Sequence, residues 1–266
     1  MEYKDIELIR EEGIALIYLN RPKVLNALSE TMMVELVEAL KETEEDPNIR
    51  VLILTGRGQG FCAGADLNRF IAAQQKGKDH KKKLGFGLLD LPRAFVQYPK
   101  PIIAAINGYA FGAGWNLALA SDIIIASEDA KFSQAFVKMG LVSDMGGMYF
   151  LPRFVSLSKA KELMFVGETI DAKEAERIGT VNRVVPKDDL ERVARELAKK
   201  IALEPLKPIG LMKKILDQSA HLDLPSLLAL EAQAQEICSQ TDDHIKRIEA
   251  FLERRKKSLK QEKRRK

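Results

Sequence analysis

The run Ile102-Ile103-Ala104-Ala105-Ile106-Asn107-Gly108-Tyr109-Ala110-Phe111-Gly112-Ala113-Gly114-Trp115-Asn116-Leu117-Ala118-Leu119-Ala120 decides how the sequence folds. It begins as a short apolar strand, passes a turn almost without side chains, and continues from Ala113 as a helix. An earlier segment follows the same plan: 51–55 reads as a strand, and Phe61-Cys62-Ala63-Gly64-Ala65-Asp66-Leu67 as a second small-residue turn. Turns this poor in side chain let backbones approach closely and can bring two N–H groups to one point, which is how a protein holds a developing oxyanion. The free N–H groups and dipole at the start of the Ala113 helix aim positive charge at the same place. Either turn alone could serve plain close packing. Both together point to a site.

Working outward, further β-rich runs stand at Ile14–Leu19, 123–126 and 181–185, with helical patterns between several of them. The spacing predicts an α/β protein of stacked β-β-α units. Ser29 is the expected N-cap of a helix that carries Met32, Leu36, Val37 and Leu40 and stops near Asp46-Pro47. The polar segment 68–83 reads as a mobile helix or loop over the site, or as a solvated surface helix. From Leu190 the pattern is helical almost to the end, with breaks expected at Pro205, Pro208 and Pro225. The expected division is a core with the site over 1–189 and a helical region over 190–266, which packs on its own core or on a neighbouring subunit.

A chain of 266 residues, 46% hydrophobic, can bury a full core. Its formal charge of +4 is uneven, because 254–266 is densely basic and the rest is near balance. A general nucleic-acid binder would be basic throughout. Cys62 and Cys238 make neither a disulfide framework nor a metal cluster, and His80, His221 and His244 have no ligand spacing, so no metal is expected. A reducing cytoplasm is the expected compartment. The first ten residues are charged every few positions and lack the apolar core of a secretory signal. The longest apolar region, 101–126, is broken by Asn107, several glycines, Asn116 and Asp122, so no membrane span is expected.

Several ordered pieces run through nearly the whole chain: Leu19-Asn20-Arg21-Pro22, Asn26-Ala27-Leu28, the two turns, Ala130-Lys131-Phe132, 140–152, and Ala250-Phe251-Leu252-Glu253-Arg254. Together they resemble the enoyl-CoA hydratase/isomerase (crotonase) superfamily, in motif most like its phenylacetate-pathway-type isomerases. The resemblance implies a crotonase-like spiral of ββα units and a helical C-terminal region that forms a trimer or a dimer of trimers. It also implies an acyl-CoA thioester as substrate, with coenzyme A part of that substrate and no separate cofactor. The implied oxyanion donors are the N–H groups of Ala65 and Ala113. Lys23, Val24, Leu25, Ala63, Asp66, Leu67 and Gly112 are implied to lie near the substrate, with Phe136 at the pocket floor. Arg254 matches a basic position that reaches coenzyme A from a neighbouring subunit, although a run of charges is also what a plain solvated surface looks like.

The departures from the family pattern bear on the reaction. Hydratases of this type carry two glutamates, and the matching positions here are Asn116 and Phe136. Neither an amide nor a phenyl ring can take a proton from water. A carboxylate stands nearby at Asp144, in Gly140-Leu141-Val142-Ser143-Asp144-Met145-Gly146-Gly147, where local sequence alone also allows a helix cap or a turn residue. Enoyl-CoA and dienoyl-CoA isomerases carry a catalytic aspartate at the matching place. The dienoyl type adds acids at the positions of Asn116 and of Ala135 or Phe136, and this chain lacks them. The expected function is therefore an isomerase that shifts a double bond between the β,γ and α,β positions. One alternative is a hydratase in which Asp144 activates water. Another is a protein that binds RNA or a partner through its basic tail, against which the tail offers no aromatic residue for stacking on bases.

Overall fold

Among the described residues the larger of two sheets has six strands in the order β1 (Ile6–Glu11), β2 (Ile14–Leu19), β3 (Val51–Gly56), β5 (Ile102–Ile106), β7 (Ile123–Ser127) and β10 (Arg183–Val185). The smaller has four, in the order β4 (Gly60–Cys62), β6 (Tyr109–Phe111), β8 (Lys131–Ser133) and β9 (Thr169–Asp171). This is a computed structural model, and it describes residues 2–67 and 89–265, with side chains as far as Lys256. The polar segment 68–83 lies outside the described residues.

The chain visits the large sheet and then the small one three times, as β3 then β4, β5 then β6, and β7 then β8. Helix α3 (Ala113–Leu119) closes one such turn, and the pattern is the spiral of ββα units that the sequence predicts. Most neighbours are parallel, with Leu52 beside Ile102 and Ile103 beside Ile123. Both faces of the large sheet are covered at its centre, which is why its inner strands β2, β3, β5 and β7 are mostly apolar runs. On β3, Leu52 and Leu54 enter one core cluster while Val51 and Ile53 enter the other.

Helix α1 (Glu30–Glu45) starts as expected, the Ser29 hydroxyl accepting the Met32 N–H at 2.9 Å, and stops one residue before Asp46-Pro47. Strand β1 has no counterpart in the sequence reading. Its charges alternate with apolar residues because it is an edge strand, paired antiparallel with β2 through a turn at Glu12 and Gly13, both at positive φ.

Helices α2 (Asp90–Gln97), α4 (Gly147–Phe154), α5 (Leu157–Val166) and α6 (Ala172–Arg177) belong to the same body. So does α7 (Leu190–Ala202), which corrects the expected division at 189/190. Leu190, Ala194 and Ala198 form one buried face of α7 against the large sheet. Arg50 holds its end, donating to the carbonyls of Ala202 at 2.6 Å and Glu204 at 2.8 Å. The compact units are therefore Met1–Glu204 and Pro205–Lys266.

The second unit contains α8 (Leu206–Ser219), α9 (Leu224–Ser239) and α10 (Asp242–Arg265). Pro205 precedes α8 and Pro225 sits at the start of α9, as expected. Pro208 makes no break: it lies in the first turn of α8, where a missing N–H costs nothing because that N–H has no partner in the helix. Among the described residues, no helix is long and apolar enough to cross a membrane.

Candidate active site

Strands β4 and β6 are parallel neighbours, Gly60 beside Tyr109 and Cys62 beside Ala110, so the two small-residue turns emerge side by side. The approach is backbone against backbone. A Cβ on Gly64, whose φ is +92°, would lie 2.7 Å from the Phe111 carbonyl oxygen, and one on Gly114 would lie 2.1 Å from that of Cys62. No other residue fits either place without moving a main chain.

A third segment threads between Arg21 and the first turn. Leu28 donates to the Gly64 carbonyl at 2.8 Å and accepts from the Asp66 N–H at 3.3 Å, and the Ala63 N–H meets the Leu25 carbonyl at 2.9 Å. Because Leu28 pairs with the residues on either side of Ala65, the Ala65 N–H points away from Leu28. Among the described residues no hydrogen bond uses that N–H, or that of Ala113, the first residue of α3.

Leu25 and Asn26 both have left-handed backbones, at φ 50° and 57°, which cost roughly 1–3 kcal/mol each where glycine is absent. The buried Asn26 side chain holds them: it accepts the Arg21 N–H at 2.8 Å and donates to the carbonyls of Arg57 at 2.9 Å and Gly60 at 2.8 Å. The sequence reading registered Asn26 only as part of a motif. Its one local signal is that asparagine tolerates the left-handed region better than other side chains.

A cavity of about 360 Å³ opens at the meeting of these segments. Val24, Ala63, Ala65, Asp66 and Leu67 line it from the first turn and its neighbour, Gly112 and Ala113 from the second. Phe136 and Asp144 complete it from the chain after β8. The Phe136 ring fills the space beside Gly112, 3.4 Å from where a Cβ there would stand. Three expected substrate residues are absent from this described lining. Lys23 is exposed on the Pro22–Val24 turn, Leu25 spends its carbonyl on Ala63, and Arg254 is exposed on α10 in the second unit.

Two carboxylates face the cavity and differ in kind. Arg21 pairs with Asp66 at 2.9 Å and with Asp5 at 3.6 Å and also donates to the Ala27 carbonyl at 2.6 Å, so Asp66 has a cationic partner and its turn is pinned. Asp144 has no cationic partner among the described residues, and its buried Oδ1 accepts no hydrogen bond. Loss of solvent pushes its carboxyl up to about 6, against a smaller opposing contribution from its own backbone N–H. It is not a helix cap, since Gly146 holds that position for α4 without help from a side chain. It belongs to a tight turn in which its carbonyl accepts the Gly147 N–H at 2.9 Å and Met145 and Gly146 have φ of 49° and 78°.

Asn116, on α3, is fully buried and its amide is bonded to Gln134, Ser143 and the Asp144 carbonyl. Phe136 lies in a short 3-10 segment, Ala135–Met139. Neither position offers a base. The site thus combines two unclaimed backbone donors with one unpaired carboxyl in an apolar cavity, an arrangement suited to moving a proton beside a carbonyl whose oxygen is held.

The enoyl-CoA hydratase/isomerase family profile matches residues 9–262. The chain belongs to that family. The 1,2-epoxyphenylacetyl-CoA isomerase of Escherichia coli is 38% identical over 246 residues, covering 92% of this chain and 94% of that protein. Its kinship agrees with the motif likeness to phenylacetate-pathway-type isomerases. The crotonyl-CoA hydratase of Syntrophomonas wolfei is 36% identical over 259 residues, 96% of this chain and 98% of the relative. Among solved structures, an enoyl-CoA hydratase from Bacillus anthracis superposes with a TM-score of 0.89 at 35% identity, covering 94% of this chain and 97% of that one. The fold is therefore the crotonase fold, and the chain is an enzyme of the family, whose members carry both isomerase and hydratase names.

Proposed function

We propose that this enzyme is an enoyl-CoA isomerase that moves a carbon–carbon double bond between the β,γ and α,β positions of an acyl-CoA thioester. The observation that carries the reading is Asp144, a carboxyl in an apolar cavity without a cationic partner among the described residues, whereas Asp66 in the same lining is paired with Arg21. The thioester oxygen would sit against the N–H groups of Ala65 and Ala113. Asp144 takes the proton from the α-carbon, and the electron pair of that C–H bond delocalises through the β,γ double bond into the carbonyl as a dienolate. The same carboxyl then returns the proton to the γ-carbon, leaving the double bond at α,β. One group can serve both carbons because they lie on the same edge of a flat dienolate. The reaction is redox-neutral and consumes no water, so it calls for no cofactor beyond the coenzyme A that the substrate carries.

Hydration is the rival reading, and the names of several relatives favour it. It would need one carboxyl to deprotonate water and also to supply the α-carbon proton, with Asn116 and Phe136 unable to help. Separate incubations with β,γ- and α,β-enoyl-CoA decide between them. The isomerase reading expects bond migration and no net water addition, and a 3-hydroxyacyl-CoA product would overturn it. The base must be ionised to act, so the rate is expected to fall as pH drops below about 6, toward a tenfold loss per unit.

Association into a trimer or dimer of trimers belongs to the same proposal. None of the residues of α8 or α9 is buried, and Leu216, Leu224, Leu228 and Phe251 of the second unit stand exposed. Such apolar surface is ordinarily covered by a partner. Light scattering at micromolar concentration is expected to give three or six times the chain mass of 29.8 kDa, and a monomer would count against it.

A further inference from the structure

The turn that carries Asp144 is fastened to the helix that begins at Ala113 by a closed circuit of buried polar side chains. The Asn116 amide donates to the Ser143 hydroxyl at 3.1 Å, that hydroxyl donates to Gln134 Oε1 at 3.2 Å, and the Gln134 amide donates to Asn116 Oδ1 at 2.8 Å. The second hydrogen of the Asn116 amide leaves the circuit and meets the Asp144 carbonyl at 2.8 Å. Asn116 and Gln134 are no more than 1% exposed and Ser143 8%. Each group gives one hydrogen bond and receives one around the circuit, so no member can rotate its amide without setting donor against donor. Gly147 makes room for it, since a Cβ there would lie 2.3 Å from both Asn116 Nδ2 and Ser143 Oγ.

Two placements need explaining. A polar cluster in the core of an otherwise apolar fold is kept only when every member is satisfied, and apolar residues would pack there more simply. The turn it holds has left-handed backbone at Met145, a non-glycine residue, a conformation that persists only where its surroundings enforce it. Asn116 is also three residues along α3 from Ala113, one of the two proposed oxyanion donors. The circuit therefore ties the donor and the base to one rigid frame.

We infer that Asn116, Gln134 and Ser143 are positioning residues that set the Asp144 carboxyl at a fixed distance from the thioester held by Ala65 and Ala113. The inference rests on the isomerase reading and adds to it the part that makes one carboxyl reach two carbons in turn. Asparagine at 116 is required for its two donors as well as its size. An aspartate there has at most one proton to donate, so it cannot serve both Ser143 and the Asp144 carbonyl.

The test follows isomerisation of a β,γ-enoyl-CoA, and exchange of its α-protons into heavy water, in Asn116→Ala, Asn116→Asp and Ser143→Ala, each alone and combined with Asp144→Asn. Asn116→Ala is expected to lower kcat by about ten- to a hundredfold with KM changed less than threefold, since misplacement by about an ångström costs that much in rate while binding contacts remain. Asn116→Asp, of the same shape but without the second amide donor, is expected to lower kcat by a similar factor, also with KM changed less than threefold. In the Asp144→Asn background neither Asn116→Ala nor Ser143→Ala is expected to reduce the residual rate further, because residues that act through one group are not additive. Should Asn116→Ala not fold, Ser143→Ala, which removes one oxygen, carries the same comparison. Full independent losses in that background, or wild-type kcat in both Asn116→Ala and Asn116→Asp, would overturn the inference and leave the isomerase reading standing. Wild-type activity in Asp144→Asn alone would remove both.

Discussion

Asp144→Asn is expected to fold normally and to lose isomerase activity by about a hundred- to ten-thousandfold, together with exchange of substrate α-protons into heavy water. Asparagine keeps the shape of the side chain and an oxygen for the residue's own backbone N–H, and the bonds of residue 144 to Gly147 and Asn116 come from its backbone carbonyl. The sign of the stability change separates a lost base from a damaged fold. Burial raises the Asp144 carboxyl above its unfolded value, so the ionised form is disfavoured by folding. The resulting destabilisation is absent well below the unfolded pKa, grows as pH rises, and is complete above about 6. At neutral pH the asparagine variant is thus expected to melt no lower than the parent, and any advantage shrinks as pH falls toward 4. A variant that melts normally and retains full exchange would falsify the role given to Asp144.

Ala113→Pro is the second large effect. Ala113 is the first residue of α3, where proline suits the helix, and Gly112 before it has φ 52° and ψ −120°, a backbone open to glycine. The substitution removes the N–H that no hydrogen bond among the described residues uses and puts a ring methylene at the cavity wall in its place. Loss of one donor to a developing oxyanion costs about a hundred- to a thousandfold in kcat. Product thioester, titrated calorimetrically, is expected to bind with affinity reduced far less than turnover. Unchanged kcat in a folded variant would take Ala113 out of the mechanism.

Much of this site was legible in the chain because it is made of local signals. Small-residue turns after apolar strands, the Ser29 cap and the β-β-α rhythm are short-range patterns, and a spiral of repeating units converts them directly into a fold. Ala65, Ala113, Gly112, Phe136 and Asp144 were named through the family resemblance that those patterns carry, and all five line one cavity. The charged edge strand β1 was missed because alternation with charge reads as an exposed opening until β2 is seen to pair with it. The boundary at 189/190 failed because helical periodicity shows that α7 has an apolar face and leaves open what covers it.

Sequence by itself determined five strands of the large sheet, the start of helix α1, the small-residue turns that let two backbones approach at Gly64 and Gly114, and the lack of acids at Asn116 and Phe136. The family resemblance implied different roles for Asp66 and Asp144, but only the tertiary structure supplies a physical difference between the two carboxylates. Asp66 and Asp144 are the same residue type, each beside small residues in a turn, and nothing local ranks them. Arg21, 45 residues before Asp66, comes to pair with it, while packing around Asp144 strips its carboxyl of solvent and supplies no cation among the described residues. The same holds for Asn116, Gln134 and Ser143, whose circuit joins residues 18, 9 and 27 positions apart. Charge pairing and desolvation depend on distances through space, and those distances exist only once the spiral has closed.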